Sequence, residues 1–187
     1  MDKKTFFTFL ALISISGIVS SCKKVEHSQL SECITEAGAS RDSRIALEKF
    51  RERVNLKNFF KDSNAYAVFP DVVKGGIGIG GARGGGQVFQ NCKAIGSTTM
   101  TQLSVGFQLG GQAFSQIIFF KNQRDTDRFI QGNFEFGASA SAALIREGAA
   151  TEASYSDGVG VLTLSKGGLM YEASIGGQKF SFSPYEK

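Results

Sequence analysis

The residue with the clearest chemistry in this sequence is Cys22, a thiol that follows a short apolar segment and two small residues. Two lysines near the start precede an apolar run over residues 6–19, which ends at Ser20 and Ser21. This order is typical of a secretory signal. A cysteine directly after small residues is typical of a lipobox, in which the sulfur receives a diacylglyceryl group and the chain is cut before the cysteine. The apolar run is shorter than the roughly eighteen residues that a membrane-spanning helix needs.

The sequence therefore predicts a lipoprotein signal peptide over residues 1–21 and an acylated tether over residues 22–30. Two or more acyl chains hold a protein firmly on a membrane, whereas one gives only marginal binding. Lys23, rather than an aspartate, follows the cysteine, which favours the periplasmic side of a bacterial outer membrane. An ordinary signal peptide with an incidental cysteine is the alternative.

Two further cysteines, Cys33 and Cys92, leave two possibilities open. An exported protein meets an oxidising compartment, where a disulfide between them is permitted. Two separate thiols fit the sequence equally well, because the spacing alone does not show that the two residues come within bridging distance. The spacing matches no zinc-binding pattern.

The sequence offers little for catalysis or metal binding. The only histidine, His27, lies in the predicted tether, so the remaining domain lacks the base that an activated serine or cysteine needs. The acidic candidates for acid–base chemistry show no informative spacing; they are Asp71, Glu135, Glu147, Glu152, Asp157 and Glu172. We therefore expect no catalytic site, metal site or cofactor, and we do not expect an enzyme.

The spelling Gly76-x-Gly78-x-x-Gly81 matches a dinucleotide-binding fingerprint, but its context does not. That fingerprint requires a helix directly after the turn, and here residues 83–86 are mostly glycine and residues 87–89 resemble a strand. The formal net charge of +4 is mildly basic, which falls short of the concentrated Lys and Arg surface that is typical of a nucleic-acid-binding protein. It suits proximity to anionic phospholipid.

The predicted secondary structure that positions these residues consists of helices followed by strands. Residues 31–58 show helical periodicity, with a break near residues 38–40 that predicts a short helix and a longer one. The basic face of the longer helix either lies on a membrane or is solvated. A third short helix is predicted over residues 124–131.

The remaining predicted elements are strands. Residues 65–69 predict a strand that ends at Pro70, and apolar residues alternate with small ones over residues 103–109. The same alternation recurs over residues 134–144, 169–175 and 180–182. It is typical of half-buried antiparallel strands. The small residues between the apolar ones permit close approach of another layer, so we expect an α+β fold with N-terminal helices packed on a mainly antiparallel, strongly curved or barrel-like β domain.

Several motifs resemble one known family. They are the stretches over residues 67–81 (AVFPDVVKGGIGIGG), 105–113 (VGFQLGGQA), 117–120 (IIFF) and 165–169 (SKGGL). In this order and spacing they resemble the SYLF domain, also called the Ysc84-type or actin-regulator-related lipid-binding domain, over roughly residues 47–182. The resemblance implies a lipid-binding module in residues 31–187. The lipobox and the missing SH3 or FYVE domain make actin and phosphoinositides unexpected partners.

Lipid head groups need cationic donors. We expect Lys74 and Arg83 to bind them first and Lys166 third, aided by exposed glycine amides around residues 75–86. The alternative is that these are solvated loop cations. Four phenylalanines either line an acyl pocket or belong to the core; they are Phe59, Phe60, Phe119 and Phe120.

Two functions from different classes fit the sequence. The first is an acyl-anchored envelope lipoprotein whose domain binds anionic phospholipid or another amphiphile. The second is a structural or interaction protein of the envelope that holds a protein partner and reaches the membrane through Cys22 alone.

Overall fold

A computed structural model of the chain describes residues 36–53, 56–132, 135–136, 155 and 157–186, and for 106–108, 135–136 and 167–176 it describes the backbone alone. The predicted signal peptide and tether, Cys22 and Cys33 lie outside the described residues. Most of the strand predicted over residues 134–144 also lies outside them. In the part of the chain that is described, no helix is both long and apolar enough to cross a membrane.

Two helices precede the sheet. The first, α1, covers Arg41–Arg51 and buries Ala46, Leu47 and Phe50. The predicted break is correct, because Ser40 is the N-cap and its Oγ accepts a hydrogen bond from the Ser43 N–H. The short helix expected before the break is wrong at residues 36–37, which are not helical, and the rest of it lies outside the described residues. The second helix, α2, covers Lys57–Asp62.

Three long strands form most of the sheet. Strand β1 (Ala65–Gln90) forms a hairpin with β2 (Lys93–Phe120). The hairpin turn is Asn91-Cys92, and both residues have positive φ, 49° and 61°, as a two-residue turn between twisted strands requires. Helix α3 (Gln123–Ile130) confirms the third predicted helix, and the short β3 (Glu135–Phe136) and long β4 (Val159–Pro184) follow. These strands pair antiparallel with one another, in the order β1-β2-β4-β3.

The prediction that the first strand ends at Pro70 is wrong, because β1 continues for another twenty residues. Strand β1 lies at an edge of the sheet, where a residue without an N–H removes no ladder hydrogen bond. Pro70 also sits within a register shift between Phe69 and Val72. The Pro70 carbonyl accepts a 2.7 Å hydrogen bond from Ser115 Oγ.

Strand β1 bends back on itself. A Cβ added at Gly84 would lie 2.7 Å from Val72 Cγ2, and one at Gly86 would lie 2.2 Å from the Val68 carbonyl oxygen. In a straight strand, residues 68 and 86 would be about 60 Å apart. The reversal occurs at residues 76–80, where Gly78 has a φ of 71° and the register with β2 shifts. We call this region and the β2 and β4 residues paired around it the bend.

The bend divides the sheet into two layers that face each other. The first layer contains residues 65–75, 111–120 and 159–169, and the second contains 79–90, 93–105 and 175–184. The rings of Phe69 and Phe180, one from each layer, are 5.7 Å apart. The prediction of a strongly curved or barrel-like sheet is therefore wrong. The strand order is open, and the turning is concentrated at the bend, because glycine there permits a sharp reversal.

Two apolar clusters hold the fold together at the end of the sheet away from the bend. The first fills the space between the layers and includes Phe69, Phe120, Phe129 and Phe180. The second lies beneath α1 and α2; it comprises Ala46, Leu47, Phe50, Leu56, Phe59, Tyr66, Val68, Phe89, Ala94, Ile117, Phe119 and Leu162. The helices therefore cover the outer surface of the sheet at this end and leave the bend uncovered.

Candidate functional site

Near the bend, the sheet carries its apolar side chains on the outside. Leu103 and Val105 are 69% and 66% exposed, whereas Ser104 between them is 1% exposed. The alternation over residues 103–109 is confirmed as a strand, and it is the side of the small residues that is buried. At the reversal itself the backbone approaches closely on the inner side, where a Cβ added at Gly76 would lie 2.4 Å from Gly80 Cα.

The inner side near the bend is polar. Gln116 Nε2 donates a 3.1 Å hydrogen bond to Gln178 Oε1, which joins the two layers, and Gln178 Nε2 donates a 3.1 Å bond to Gln102 Oε1. Lys74 is also on this side and is buried. Buried amides of this kind are tolerated because they satisfy one another.

A row of polar residues crosses the outer surface of the second layer beside the apolar residues. Strand pairing puts Arg83 opposite Thr101, and Thr101 opposite Lys179. All three are exposed. Adjacent strands are about 4.8 Å apart, so the Arg83 and Lys179 backbones are separated by roughly 10 Å. We call this set the cationic row.

The structure separates the three cations that the sequence grouped. Arg83 is on the outer surface of β1, whereas Lys74 is on the inner side and buried. Lys166 Nζ lies 2.5 Å from Asp71 Oδ1 in an ion pair, which leaves it less available to an anion. Lys179 was missed because it lies far along the chain from Arg83, and only the β2–β4 register brings the two together.

The glycine segment forms a strand rather than a loop. Residues 75–77 pair with 109–111 of β2, and residues 79–86 pair with 98–105. The amides that face β2 therefore belong to a β-ladder, whereas the alternate amides of this edge strand face away from β2, and their binding of an anion stays a prediction. The glycines serve the bend and the close approach of the layers.

A polar cleft of about 300 Å³ lies beside the N-terminus of α1. Gln87 organises it, since its Oε1 accepts a 2.7 Å hydrogen bond from the Ser40 N–H and its Nε2 donates a 2.7 Å bond to the Tyr185 hydroxyl. Asp42 and Asp71 also line the cleft. Because its described lining residues include these two acidic residues and no lysine or arginine, we do not assign a second head-group site there.

A buried hydrogen-bonded group attaches the segment before α1 to the sheet. Tyr66 donates a 2.7 Å hydrogen bond from its hydroxyl to Glu36 Oε1, and Glu36 also pairs with Arg51. Burial, followed by the bond to Glu36, raises the pKa of Tyr66 well above its ordinary value. Burial also raises the pKa of Tyr155 to about 12, with a further contribution from Asp62. This region is a structural joint rather than a reactive site.

Cys92, in the hairpin turn, is disulfide-bonded. Its predicted partner, Cys33, lies outside the described residues, so the pairing stays a prediction. The segment that follows Cys33 does reach the turn, because the Ala37 N–H donates a 2.9 Å hydrogen bond to the Cys92 carbonyl and the Ala94 N–H donates a 2.8 Å bond to the Ala37 carbonyl.

The four phenylalanines considered for an acyl pocket belong to packed clusters. Phe119 lies 5.3 Å from Phe59 and 4.9 Å from Phe60, centroid to centroid, beneath the helices. Phe120 packs 4.8 Å from Phe129 between the layers. The core interpretation of these residues is confirmed.

The acidic residues considered for catalysis are dispersed. Asp71 pairs with Lys166, and Asp157 Oδ2 lies 3.7 Å from Arg128 Nη1 near α3. Among the described residues there is no group of three or more potential metal ligands. Whether the chain catalyses a reaction is not tested by this geometry, and its expected lack of activity stays a prediction.

Comparison with known proteins gives two matches. The family model described as "Las17-binding protein actin regulator" (Ysc84) matches residues 101–186. A relative named Beta cell expansion factor A, from Aeromonas veronii, is 28% identical over 133 residues, which cover 70% of this chain and 50% of the relative. The matched region thus spans about half the length of that relative. No solved structure matches significantly.

Proposed function

We propose that this chain, which carries a Ysc84 (SYLF) domain, binds anionic phospholipid at a bacterial membrane to which an acylated Cys22 tethers it. The observation that carries the proposal is the cationic row. Arg83 and Lys179 come from different strands and are exposed on the same outer surface. Arginine binds a phosphate through two parallel hydrogen bonds, and lysine contributes a point charge.

The surroundings of the cationic row support the assignment. Arg83 and Lys179 flank Thr101, whose hydroxyl can donate a further hydrogen bond to a phosphate oxygen. Glu135 lies opposite Lys179 in the register of the short β3 strand, so Arg83 is expected to contribute more than Lys179. Lys166 is expected to contribute least, because Asp71 already neutralises it.

The test is vesicle co-sedimentation of residues 22–187 carrying Cys22→Ser, which have neither the apolar run of the predicted signal peptide nor an acyl group. Vesicles of phosphatidylglycerol, cardiolipin, phosphatidic acid and neutral phosphatidylcholine are compared at low and moderate salt. We expect binding to the anionic vesicles that weakens with salt. Arg83→Ala should reduce it several-fold and Arg83→Ala/Lys179→Ala further.

Arg44→Ala is the matched control, since it removes the same charge from the exposed surface of α1. Equal binding to neutral and anionic vesicles, or equal losses in the Arg83 and Arg44 variants, would contradict the proposal. Lys74→Ala should leave head-group binding unchanged because Lys74 is buried on the inner side.

The second candidate is a protein-binding module of the envelope. The description of the matching family names a Las17-binding protein, which makes a protein partner the natural alternative for this chain. Cross-linking in intact cells that recovers one stoichiometric partner, together with no vesicle binding by the Cys22→Ser chain, would favour it.

A further inference from the structure

Exposed apolar residues are concentrated on the outside of the bend. Six of them are between 58% and 80% exposed: Val73, Ile77, Ile79, Leu103, Val105 and Leu109. Strand pairing makes Ile77 the neighbour of Leu109 and Ile79 the neighbour of Val105. Contiguous exposed apolar surfaces are rare on soluble proteins and mark interaction sites. We call this set the apolar outer face.

The outer position of these side chains is enforced by the fold. The inner side of the same strands is occupied by close backbone approach, since a Cβ at Gly76 would lie 2.4 Å from Gly80 Cα. It is also occupied by buried polar groups such as Ser104 and Lys74. A one-residue change of register would bury the apolar side chains, but it would place added Cβ atoms where there is no room.

The cationic row borders this face directly. Along β1, Arg83 follows Ile79 by four residues. Along β4, Lys179 follows by four residues the residue that pairs with Val105, which is Ile175. Four residues of a strand span about 13 Å. The surface therefore changes from apolar to cationic over a distance comparable to the step from the acyl layer to the phosphates, because amphipathic elements bury their apolar side about 5–10 Å deep.

We propose that the apolar outer face inserts into the acyl layer of an anionic bilayer while Arg83 and Lys179 remain at the phosphates. This deepens the proposed function and rests on it. The arrangement of a cationic row next to an apolar face favours a bilayer over a second copy of the chain. A bilayer offers an anionic phosphate layer next to an apolar acyl layer. The length of chain allows it as well, since Glu36 is fourteen residues after Cys22, which spans up to about 46 Å.

The chain contains no tryptophan, which permits a direct measurement of insertion. Ile77→Trp and Leu103→Trp are made separately in the Cys22→Ser chain, so that either variant suffices if the other folds poorly. Ile45→Trp is the control, because Ile45 is 41% exposed on α1, away from the bend. Emission spectra are recorded with phosphatidylglycerol vesicles, with and without bromine atoms on the acyl chains, and bound protein is measured by sedimentation of the same samples.

We expect the tryptophan emission of the I77W and L103W variants to shift to the blue on binding and to be quenched by brominated chains. The emission of the I45W variant should change little. Ile77→Ser/Leu103→Ser should weaken vesicle binding by about tenfold or more, because two apolar side chains no longer leave water when the face inserts. Unlike the loss in Arg83→Ala, this loss should persist at high salt.

Three outcomes would overturn the inference, and they differ from one another. Sedimentation without a blue shift would mean that head groups bind but nothing inserts, so the proposed function would survive alone. No sedimentation would remove both proposals. A blue shift without vesicles would mean that the face is already covered, by a second copy if the shift depends on protein concentration and by the chain's own undescribed residues if it does not.

Discussion

The two ends of the folded sheet differ in which side carries the apolar residues. Away from the bend, aromatic rings fill the space between the layers, with Phe129 lying 4.8 Å from Phe120 and 5.2 Å from Phe180. At the bend, the space between the layers holds amides and glycine backbone, and the apolar residues face outward. Along the same strands, apolar side chains therefore face the interior at one end and the solvent at the other.

The difference follows from the distance between the layers. Where large aromatic rings separate the layers, burial of apolar area stabilises the fold. At the bend, buried polar side chains and closely approaching glycine backbone occupy the space between the layers instead. The apolar residues of the alternating pattern then have no inner side to occupy. The bend contributes little hydrophobic stabilisation to the monomer, and its outer surface is left for binding.

The largest expected effect on stability is the difference between alanine substitutions of two isoleucines of the same sheet. Ile118 is fully buried between the layers, whereas Ile77 is 80% exposed at the bend. We expect Ile118→Ala to lower the free energy of unfolding by about 2–5 kcal/mol and Ile77→Ala to change it by less than about 0.5 kcal/mol. Urea unfolding followed by circular dichroism measures both. Equal losses would show that the outer face at the bend is part of the core.

The disulfide at Cys92 should stabilise the end that carries the helices. We expect Cys92→Ser to lower the free energy of unfolding by about 2–4 kcal/mol, because a long loop is no longer closed in the unfolded chain. If Cys33 is the partner, Cys33→Ser should cost the same, and the double variant should cost no more than either single variant. Intact mass with and without reductant gives the pairing independently. A Cys33 thiol that reacts with maleimide in the unreduced protein would contradict it.

Two neighbouring glycines test the contact between the layers. A Cβ at Gly86 would lie 2.2 Å from the Val68 carbonyl oxygen, whereas one at Gly85 would have no heavy atom within 4 Å. We expect Gly86→Ala to destabilise the fold by about 1–3 kcal/mol through overpacking. Gly85→Ala should leave stability unchanged or slightly raised. Thermal unfolding of the two variants is the measurement, and a destabilised Gly85→Ala would argue against the packing described.

The smallest effect concerns pH at the end that carries the helices. Burial is the main cause that raises the pKa of Tyr155 to about 12, whereas an exposed tyrosine has a pKa of about 10. Its neutral form therefore stabilises the fold below about pH 10, and this contribution is lost as the pH rises from about 10 to 12. Tyr155→Phe should change stability by less than about 0.5 kcal/mol at neutral pH, because the Tyr155 hydroxyl has no hydrogen-bond partner among the described residues. It should also make alkaline unfolding less steep, and an unchanged slope would contradict the shift.

Much of the local structure could be predicted from the sequence because it depends on neighbouring residues. The N-cap at Ser40 and the helix after Asn122, where Asn122 accepts a hydrogen bond from the Asp125 N–H, need only a few residues to form. The strand character of residues 103–109 follows from their alternation in the same way. The motifs over residues 105–113 and 165–169 also pointed to the family that the comparison supports.

The sequence by itself determined which segments are strands and that one side of each is apolar near the bend. Only the tertiary structure decided that this side faces outward, that Pro70 lies inside an edge strand, and that Arg83 and Lys179 share a row while Lys74 is buried. The physical reason is that alternation defines two sides of a strand but does not determine which side faces the interior of the fold. That choice depends on how closely the layers approach, which is a property of residues far apart in the chain.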